Sequence, residues 1–260
     1  MQGLADLEAF SVEVAEHVAT VTMRRPPVNA QNRLFREEIV RIFDTLHDAP
    51  EVRAVVLTGD GRAFSAGADL KERPARDVPG AYPAHNRLVR ASFDCVMECE
   101  KPVVAAVNGA AIGAGCVLAL CCDILVASES AFLSMTEVDV GLAGGVRHVM
   151  RHFGQSDARL MIMTARRITG PELLRMNVVS ACVPGAALMD TALGIAREIA
   201  GKVPLATRAA KRSFTLTEEL PLHEGYRYEQ SQTVALASTE DTKEAQRAFA
   251  EKRKPVFKGR

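Results

Sequence analysis

Two glycine-containing turns in this sequence have residue types and spacing suited to chemistry. The first, Phe64-Ser65-Ala66-Gly67-Ala68, follows an apolar run that ends at Thr58. The second, Gly113-Ala114-Gly115, follows the apolar run 103–107. If each turn aims one backbone N–H at the same oxygen, the pair forms an oxyanion hole. The same pattern is also typical of tight turns that need small residues, so the turns alone leave both interpretations open.

Acid–base groups are few around these turns. Glu137 is a carboxylate that follows the apolar run 124–127, and by itself it could be a solvated loop acid. Asp139 would share its face in an extended segment, which makes it a candidate second acid or simply an exposed carboxylate. His148 and His152 are one helical turn apart, but a metal pair needs a third ligand. His148 could instead line a pocket.

The six cysteines include no C-x-x-C pair and no Cys/His cluster with zinc spacing. Reduced, buried cysteines are therefore expected, and no metal site is predicted.

The elements that must position these groups alternate between strand and helix. Residues 9–23 predict an antiparallel hairpin that turns near His17, and residues 32–47 carry a helical stripe. Strands are expected at 54–59, 103–107 and 124–127, with helices at 88–99 and 115–121; loops are expected at 60–70 and 71–84. This alternation predicts an α/β fold with parallel strands and crossover helices.

The strand signal fades after about residue 145. Residues 156–176, 186–202 and 206–251 have helical patterns, with an extended piece at 178–183 and a break at Pro221. We therefore expect an α/β core over residues 1–195 and a helical region over residues 196–260.

Composition excludes several classes of protein. The chain has 260 residues, 32 Lys and Arg against 32 Asp and Glu, and a formal net charge of zero. Nothing in that balance favours nucleic acid or a membrane surface as a partner. No apolar run approaches the ~18 residues of a membrane span, and residues 1–6 have no signal-peptide pattern. A cytoplasmic location is expected.

Three segments together resemble the enoyl-CoA hydratase/isomerase family, also called crotonases. They are AFSAGADLKE (63–72), KPVVAAVNGAAIGAGCVLALCCDILVAS (101–128) and residues 137–145, and the similarity extends over essentially the whole chain. The resemblance implies a crotonase (ClpP-like) spiral of ββα units with a C-terminal helical trimerisation region. It also implies an acyl-CoA thioester substrate, no separate cofactor because coenzyme A is part of that substrate, and a homotrimer or a dimer of trimers.

The resemblance assigns roles to particular residues. The backbone N–H groups of Ala68 and Ala114 would bind the thioester oxygen and stabilise the enolate that forms there. The CoA moiety would lie against four neighbours of these positions. These neighbours are Ala66, Asp69, Leu70 and Lys71. Glu137 matches one of the two catalytic glutamates of the hydratases.

Val117 departs from the family pattern. Hydratases of the family carry their other glutamate at this place, and a single remaining carboxylate favours enoyl-CoA isomerisation or a non-standard hydration. Two alternatives stay open. One is hydrolytic, retro-Claisen cleavage of a cyclic β-ketoacyl-CoA; the other is a family member that binds acyl-CoA without turning it over.

Overall fold

The computed structural model describes residues 4–75 and 77–260, which form two β-sheets and the helices around them. Within these residues the strands are β1 (Phe10–Ala15), β2 (Val18–Met23), β3 (Ala54–Gly59), β4 (Ala63–Ser65), β5 (Val103–Val107), β6 (Ala110–Ile112), β7 (Ile124–Ser128), β8 (Phe132–Ser134), β9 (Ile168–Thr169) and β10 (Ala181–Val183). The α-helices are α1 (Arg33–Asp48), α2 (Ala81–Glu98), α3 (Ala114–Leu120), α4 (Val146–Met150), α5 (Gln155–Thr164), α6 (Gly170–Arg175), α7 (Leu188–Ala200), α8 (Pro204–Thr217), α9 (Leu222–Ala237) and α10 (Glu240–Ala250). Short 3₁₀ helices span Leu70–Glu72, Glu137–Val140 and Gly185–Ala187.

The larger sheet has the strand order β1-β2-β3-β5-β7-β10. β1 and β2 form the predicted antiparallel hairpin, and the other neighbours are parallel. The two-residue turn between β1 and β2 places Glu16 and His17 at φ of 51° and 66°, the left-handed values that a tight hairpin turn requires. The predicted α/β class with parallel strands is therefore confirmed.

Both faces of the larger sheet are covered, which explains its uninterrupted apolar strands. In β3, Val55 and Leu57 belong to one buried cluster, while Ala54 and Val56 belong to another, because successive strand residues point to opposite faces. Helix α7 closes the second face with small and aliphatic side chains. Because a parallel strand of this kind is buried on both faces, its sequence is a continuous apolar run without alternating polar residues.

A smaller sheet, ordered β4-β6-β8-β9, lies next to the larger one. The chain steps from β3 to β4, from β5 to β6 and from β7 to β8 through short connections. Glycines permit this approach: a Cβ at Gly59 would lie 2.4 Å from the Ala63 carbonyl oxygen, and one at Gly109 would lie 2.3 Å from that of Arg62. These three connections therefore bring the chain to the same region of the molecule.

Three segments differ from the sequence prediction. The predicted loop 60–70 contains β4. Helix α2 begins at Ala81 rather than near residue 88, since Pro83 falls in its first turn, where a backbone N–H needs no helical acceptor. The predicted helix 156–176 is interrupted, because Ala165 ends α5 at φ 51° and its carbonyl accepts a hydrogen bond from Ser134 Oγ at 2.9 Å.

Helices α8, α9 and α10 make up most of residues 204–250. The predicted boundary at residue 195 falls inside α7, so the division into residues 1–195 and 196–260 stays a prediction. In the part of the chain that the structure describes, no helix is long and apolar enough to cross a membrane.

A buried cation fastens α8 to the core. Lys211 Nζ donates to the carbonyl oxygens of Val96 and Lys101, both at 3.0 Å, and lies 2.9 Å from Asp123 Oδ2. We expect Lys211→Met to lower the free energy of unfolding by about 3 kcal/mol, because it leaves these acceptors without their donor. Urea unfolding measures the change.

The matched control for this prediction is Lys202→Met. Its ammonium group is exposed and pairs with Glu198 one helical turn away, an interaction expected to contribute about 0.5 kcal/mol or less. Equal unfolding midpoints for the two variants would contradict the anchoring role of Lys211.

Candidate active site

The two glycine turns meet at the ends of β4 and β6. These strands pair in parallel, with Ser65 opposite Ala111, so both turns leave the same edge of the small sheet. Gly67 has φ 86°, and a Cβ there would lie 2.5 Å from the Ile112 carbonyl oxygen and 3.2 Å from the Ala114 nitrogen. The structure therefore brings the two predicted turns into direct contact.

Within residues 4–75 and 77–260, the backbone N–H groups of Ala68 and Ala114 have no acceptor. Ala68 forms a parallel bridge with Gln31, in which Gln31 N–H donates to the Gly67 oxygen at 2.7 Å and Asp69 N–H donates to the Gln31 oxygen at 3.0 Å. That pattern turns the Ala68 N–H to the opposite side. Ala114 opens α3, where a first-turn N–H has no helical acceptor. Among the described residues neither amide donates a hydrogen bond.

A buried polar network joins the turns, and the sequence analysis missed it. Gln31, 1% exposed, donates from Nε2 to the Ala114 oxygen at 3.1 Å and to Ser65 Oγ at 3.3 Å. Ser65 Oγ donates to the Asn29 oxygen at 2.7 Å and accepts from Gly67 N–H at 3.3 Å. One side chain thus touches both turns, and its network fixes their separation.

Asn29 anchors this network to the first turn. Its Nδ2 donates to three backbone oxygens at 2.9–3.2 Å, those of Asp60, Ala63 and Phe64. Its own φ is 52°, a value that asparagine tolerates better than most side chains. An Asn followed two residues later by Gln is a signal in the sequence, but only the fold reveals that it faces the turns.

Glu137 stands beside the second turn, as the first residue of a 3₁₀ helix. Its Oε1 lies 2.6 Å from the position that a Cβ on Gly113 would occupy, and its Cγ lies 3.9 Å from the same position on Gly144. Its Oε2 is buried and has no hydrogen-bond partner among the described residues. The carboxylate is therefore held next to Gly113, the residue before Ala114, with one oxygen free to accept a proton.

The surroundings of Glu137 are apolar. Val117 is buried on α3, and its Cγ2 lies 2.8 Å from the position of a Cβ on Gly145; Met135 Cε lies 2.4 Å from the same point. Val117 and Glu137 thus approach the adjacent glycines 145 and 144. Burial raises the pKa of the Glu137 carboxyl above its usual 4.5, and a hydrogen bond from its own backbone partly opposes that rise.

The raised pKa sets the sign of a pH effect on stability. When the pKa of an acid is higher in the folded than in the unfolded state, its ionisation at high pH destabilises the fold. That destabilisation disappears as the pH falls through the folded-state pKa toward the unfolded-state pKa. We expect Glu137→Gln to be more resistant to urea than the unchanged protein at pH 7, with the difference shrinking as the pH falls toward 4.5. A constant difference from pH 4 to 8 would contradict a buried charge at this position.

The other candidate acid–base groups lie in different settings. Asp139 is exposed on the 3₁₀ helix. His148 packs edge-on against Phe93 at 5.7 Å between ring centres, and burial lowers its pKa. His152 Nε2 lies 2.8 Å from the Leu120 carbonyl oxygen. Among the described residues no three His, Cys, Asp or Glu side chains form a group that could hold a metal ion.

The predicted CoA-contact residues surround Ala68. Ala66 N–H donates to the Val28 oxygen at 2.9 Å, and Leu70 is 59% exposed. Asp69 accepts from Lys71 N–H at 3.1 Å and pairs with Arg25 at 2.9 Å; these contacts lower the pKa of its carboxyl. Lys71 is exposed. The segment offers apolar surface and a cation next to a free amide.

Comparison with known proteins shows the family and the fold of this chain. The family model described as enoyl-CoA hydratase/isomerase matches residues 13–260. A protein of Citrobacter koseri named carnitinyl-CoA dehydratase is 36% identical over 94% of this chain and 95% of its own length. The crystal structure of an enoyl-CoA hydratase from Bacillus anthracis superposes with a TM-score of 0.92 at 35% identity, covering 97% of this chain and all of the other. An enoyl-CoA hydratase/isomerase structure from Mycobacterium paratuberculosis gives a TM-score of 0.88 at 29% identity over 98% of this chain and 100% of the other. The predicted crotonase fold is thereby confirmed, and the chain belongs to the enoyl-CoA hydratase/isomerase family.

Proposed function

We propose that this acyl-CoA enzyme interconverts 3-hydroxyacyl-CoA and 2-enoyl-CoA thioesters, with Glu137 as its only proton carrier. The observation that carries the proposal is the buried, unpartnered Oε2 of Glu137 beside the turn that presents the Ala114 amide. The relatives named carnitinyl-CoA dehydratase support loss or addition of water as the reaction.

In the proposed dehydration the thioester oxygen accepts hydrogen bonds from the N–H groups of Ala68 and Ala114. The Glu137 carboxylate removes a proton from the α-carbon, and the C–H electron pair moves onto the thioester oxygen to give an enolate. The enolate then re-forms the carbonyl as the α,β double bond forms and the β-carbon–oxygen bond breaks. The proton held by Glu137 passes to the departing hydroxyl, so that water leaves.

One carboxylate is sufficient when both proton transfers occur on the same face of the substrate. The acid that has just received the α-proton is then in place to deliver it, and hydration is the reverse sequence. The apolar surroundings of Glu137 raise its pKa, which makes it a stronger base for the α-proton. The two amides stabilise the charge that develops on oxygen.

We propose that the CoA moiety lies along Ala66, Asp69, Leu70 and Lys71, next to Ala68. The exposed Leu70 side chain gives an apolar contact, and the exposed Lys71 gives a cation for the phosphates. Asp69 keeps this segment in place through Arg25. The proposed chemistry needs no cofactor besides the CoA of the substrate.

Double-bond isomerisation from the 3,4 to the 2,3 position is the second candidate. The observation that favours it is Val117, an apolar side chain where a second carboxylate would help to activate water. Isomerisation needs only one base, which takes a proton from the α-carbon and returns it to the γ-carbon.

A panel of thioesters separates these reactions. The protein is incubated with crotonyl-CoA, a 3-enoyl-CoA and a cyclic β-ketoacyl-CoA, and the products are separated by chromatography, which resolves isomers, and then analysed by mass. We expect crotonyl-CoA to gain one water. Conversion of the 3-enoyl-CoA alone, without a change in mass, would replace the proposal by isomerisation. Water added to the cyclic substrate alone would indicate C–C cleavage, and tight binding without turnover would indicate a non-catalytic member.

Gln31 is expected to act as a positioning residue for the two amides. Gln31→Met keeps the side-chain volume but removes the hydrogen bonds to Ser65 and Ala114, so the turns can drift apart. We expect kcat to fall about tenfold with little change in KM, since misplacement affects the transition state more than binding. Steady-state kinetics measures both constants.

Gln232→Met is the matched control, because Gln232 lies on helix α9 and bonds only to Ser231 among the described residues. It should leave both constants unchanged. A rise in KM without a fall in kcat for Gln31→Met would contradict the positioning role.

We also propose that the chain assembles as a homotrimer or a dimer of trimers through its C-terminal helices. Large apolar side chains on α8, α9 and α10 are exposed in the single chain, which is unusual for a surface without a partner. They are Phe214 (78% exposed), Leu222 (89%), Val234 (75%) and Phe249 (88%). Light scattering that gives the mass of one chain would contradict this proposal.

A further inference from the structure

A cavity lies between α1 and α2, next to the 3₁₀ helix Leu70–Glu72 that follows Ala68. Its volume is about 470 Å³. The residues that define its character are Arg36, Glu37, Glu72, Ala84, His85 and Leu88. Nothing in the proposed reaction uses these side chains. The cavity combines an apolar wall with charged groups, as binding sites for small molecules commonly do.

Arg36 is the unusual member of this cavity. It is only 3% exposed, and its Nε is buried without a hydrogen-bond partner. Within residues 4–75 and 77–260, no side-chain or backbone oxygen accepts from its guanidinium, and no carboxylate lies within ion-pair distance. A buried charge is costly unless it is paired and hydrogen-bonded, so Arg36 lacks a partner that the described residues do not supply.

The acids nearest to Arg36 are already engaged elsewhere. Glu72 accepts from Arg33 N–H at 2.9 Å, and Asp69 pairs with Arg25 at 2.9 Å. Glu37 pairs with the Arg33 side chain at 2.7 Å. These carboxylates moderate the positive potential around Arg36 without bonding to it. These three carboxylates are therefore not the missing partner of Arg36.

The chemistry of the cavity points to a carboxylate. The planar guanidinium offers parallel N–H groups that match two carboxylate oxygens. His85, half-buried in the same cavity, has its pKa lowered by burial and by the charge of Arg36, so its neutral ring can donate one further hydrogen bond. Ala84 and Leu88 can pack against the methylene groups that carry the carboxylate.

We propose that Arg36 binds the carboxylate of a ligand that occupies the cavity between α1 and α2. The ligand can be the far end of the acyl group of a thioester, which rests on the proposed function, or a free carboxylic acid. Ala68 and Glu72 are four residues apart, so their backbones lie no more than about 14 Å from each other. The cavity and the proposed thioester site therefore lie in the same part of the molecule.

The test compares adipoyl-CoA with hexanoyl-CoA, which have the same chain length and differ by one terminal carboxylate. Calorimetric titration of the unchanged protein should give a Kd at least about tenfold lower for adipoyl-CoA. Free adipate, added in a thermal-unfolding assay, tests whether the ligand is a free carboxylic acid. A rise in Tm with adipate, together with equal affinities for the two thioesters, supports the site with a free carboxylate as ligand.

Arg36→Gln should abolish the preference for adipoyl-CoA, or the adipate effect. Arg36→Lys keeps the charge without the paired donors, so it should retain part of either effect. Arg41→Gln removes the same charge from the surface of the same helix and should behave like the unchanged protein. If Arg36→Gln fails to fold, the adipoyl-CoA preference and the adipate effect are compared between the unchanged protein and Arg36→Lys, and that comparison tests the proposal.

Two results would overturn the proposal. One is an unchanged protein that neither prefers adipoyl-CoA nor responds to adipate. The other is an Arg36→Gln protein that loses affinity for hexanoyl-CoA as much as for adipoyl-CoA, which would assign Arg36 to the CoA phosphates or to the fold. If neither thioester binds, the proposed function fails on its own, and the adipate assay still decides the site.

Discussion

Replacing Glu137 by glutamine is expected to lower kcat for hydration of crotonyl-CoA by about 10³-fold, within the usual range for loss of a general base. The amide keeps the size of the side chain but cannot take a proton from carbon or return it. Val117, which lies beside Gly145 together with Met135, is apolar and therefore cannot supply a second carboxylate. Affinity for butyryl-CoA, which cannot be hydrated, should stay within about twofold of the unchanged protein.

Asp139→Asn is the control for this prediction. Asp139 lies two residues away in the same 3₁₀ helix but is exposed, so kcat should change by less than about twofold if Glu137 is the only proton carrier. A large loss in both variants would make the two carboxylates a pair. Normal turnover by Glu137→Gln would show that the base lies elsewhere.

The parts of the fold that the sequence predicts are those in which local pattern and tertiary burial agree. Residues 54–59 read as a buried strand because β3 is covered on both faces, so nothing polar interrupts its sequence. The turn at Glu16 and His17 is fixed by the alternating strands on either side of it. In each case the information lies within a dozen residues of the chain.

Long-range contacts explain the parts that were missed. The three-residue strands β4, β6 and β8 are too short to carry a period, and they exist because glycines let neighbouring backbones approach. The helix α5 ends at Ala165, a position where the sequence has no glycine that would predict the end of a helix. Ser134, 31 residues away, stabilises this conformation through a hydrogen bond to the Ala165 carbonyl.

The same holds for the candidate site. Its glycines and Glu137 stand out as residue types, whereas Gln31 and Arg36 look like ordinary polar residues at the start of a helix. Gln31 gains its proposed role by contacting Ala114, 83 residues away. Arg36 stands out only because the fold buries its Nε without a hydrogen-bond partner among the described residues.

The second large effect is expected from Gly113→Ala, for two separable reasons. Gly113 has φ 53° and ψ −119°, a combination that residues with a side chain rarely adopt, so any side chain strains the backbone, at a cost of about 1–3 kcal/mol. In addition, the new Cβ would lie 2.6 Å from Glu137 Oε1. The end of a glutamate side chain can swing away, so the clash is relieved by moving the carboxylate rather than by unfolding the turn. We expect kcat to fall about 10²-fold, because a displacement of this size takes the base out of reach of its proton.

Gly61→Ala separates the two reasons. Gly61 also has a positive φ, 77°, but a Cβ there meets nothing within 4 Å. Urea unfolding should therefore detect a loss of stability in both variants, whereas kinetics with crotonyl-CoA should detect a loss of kcat only in Gly113→Ala. Equal kcat values in the two variants would mean that the position of the Glu137 carboxylate beside Gly113 is not the reactive one. A loss confined to Gly113→Ala would instead tie the reaction to the contact between the second turn and the single carboxylate.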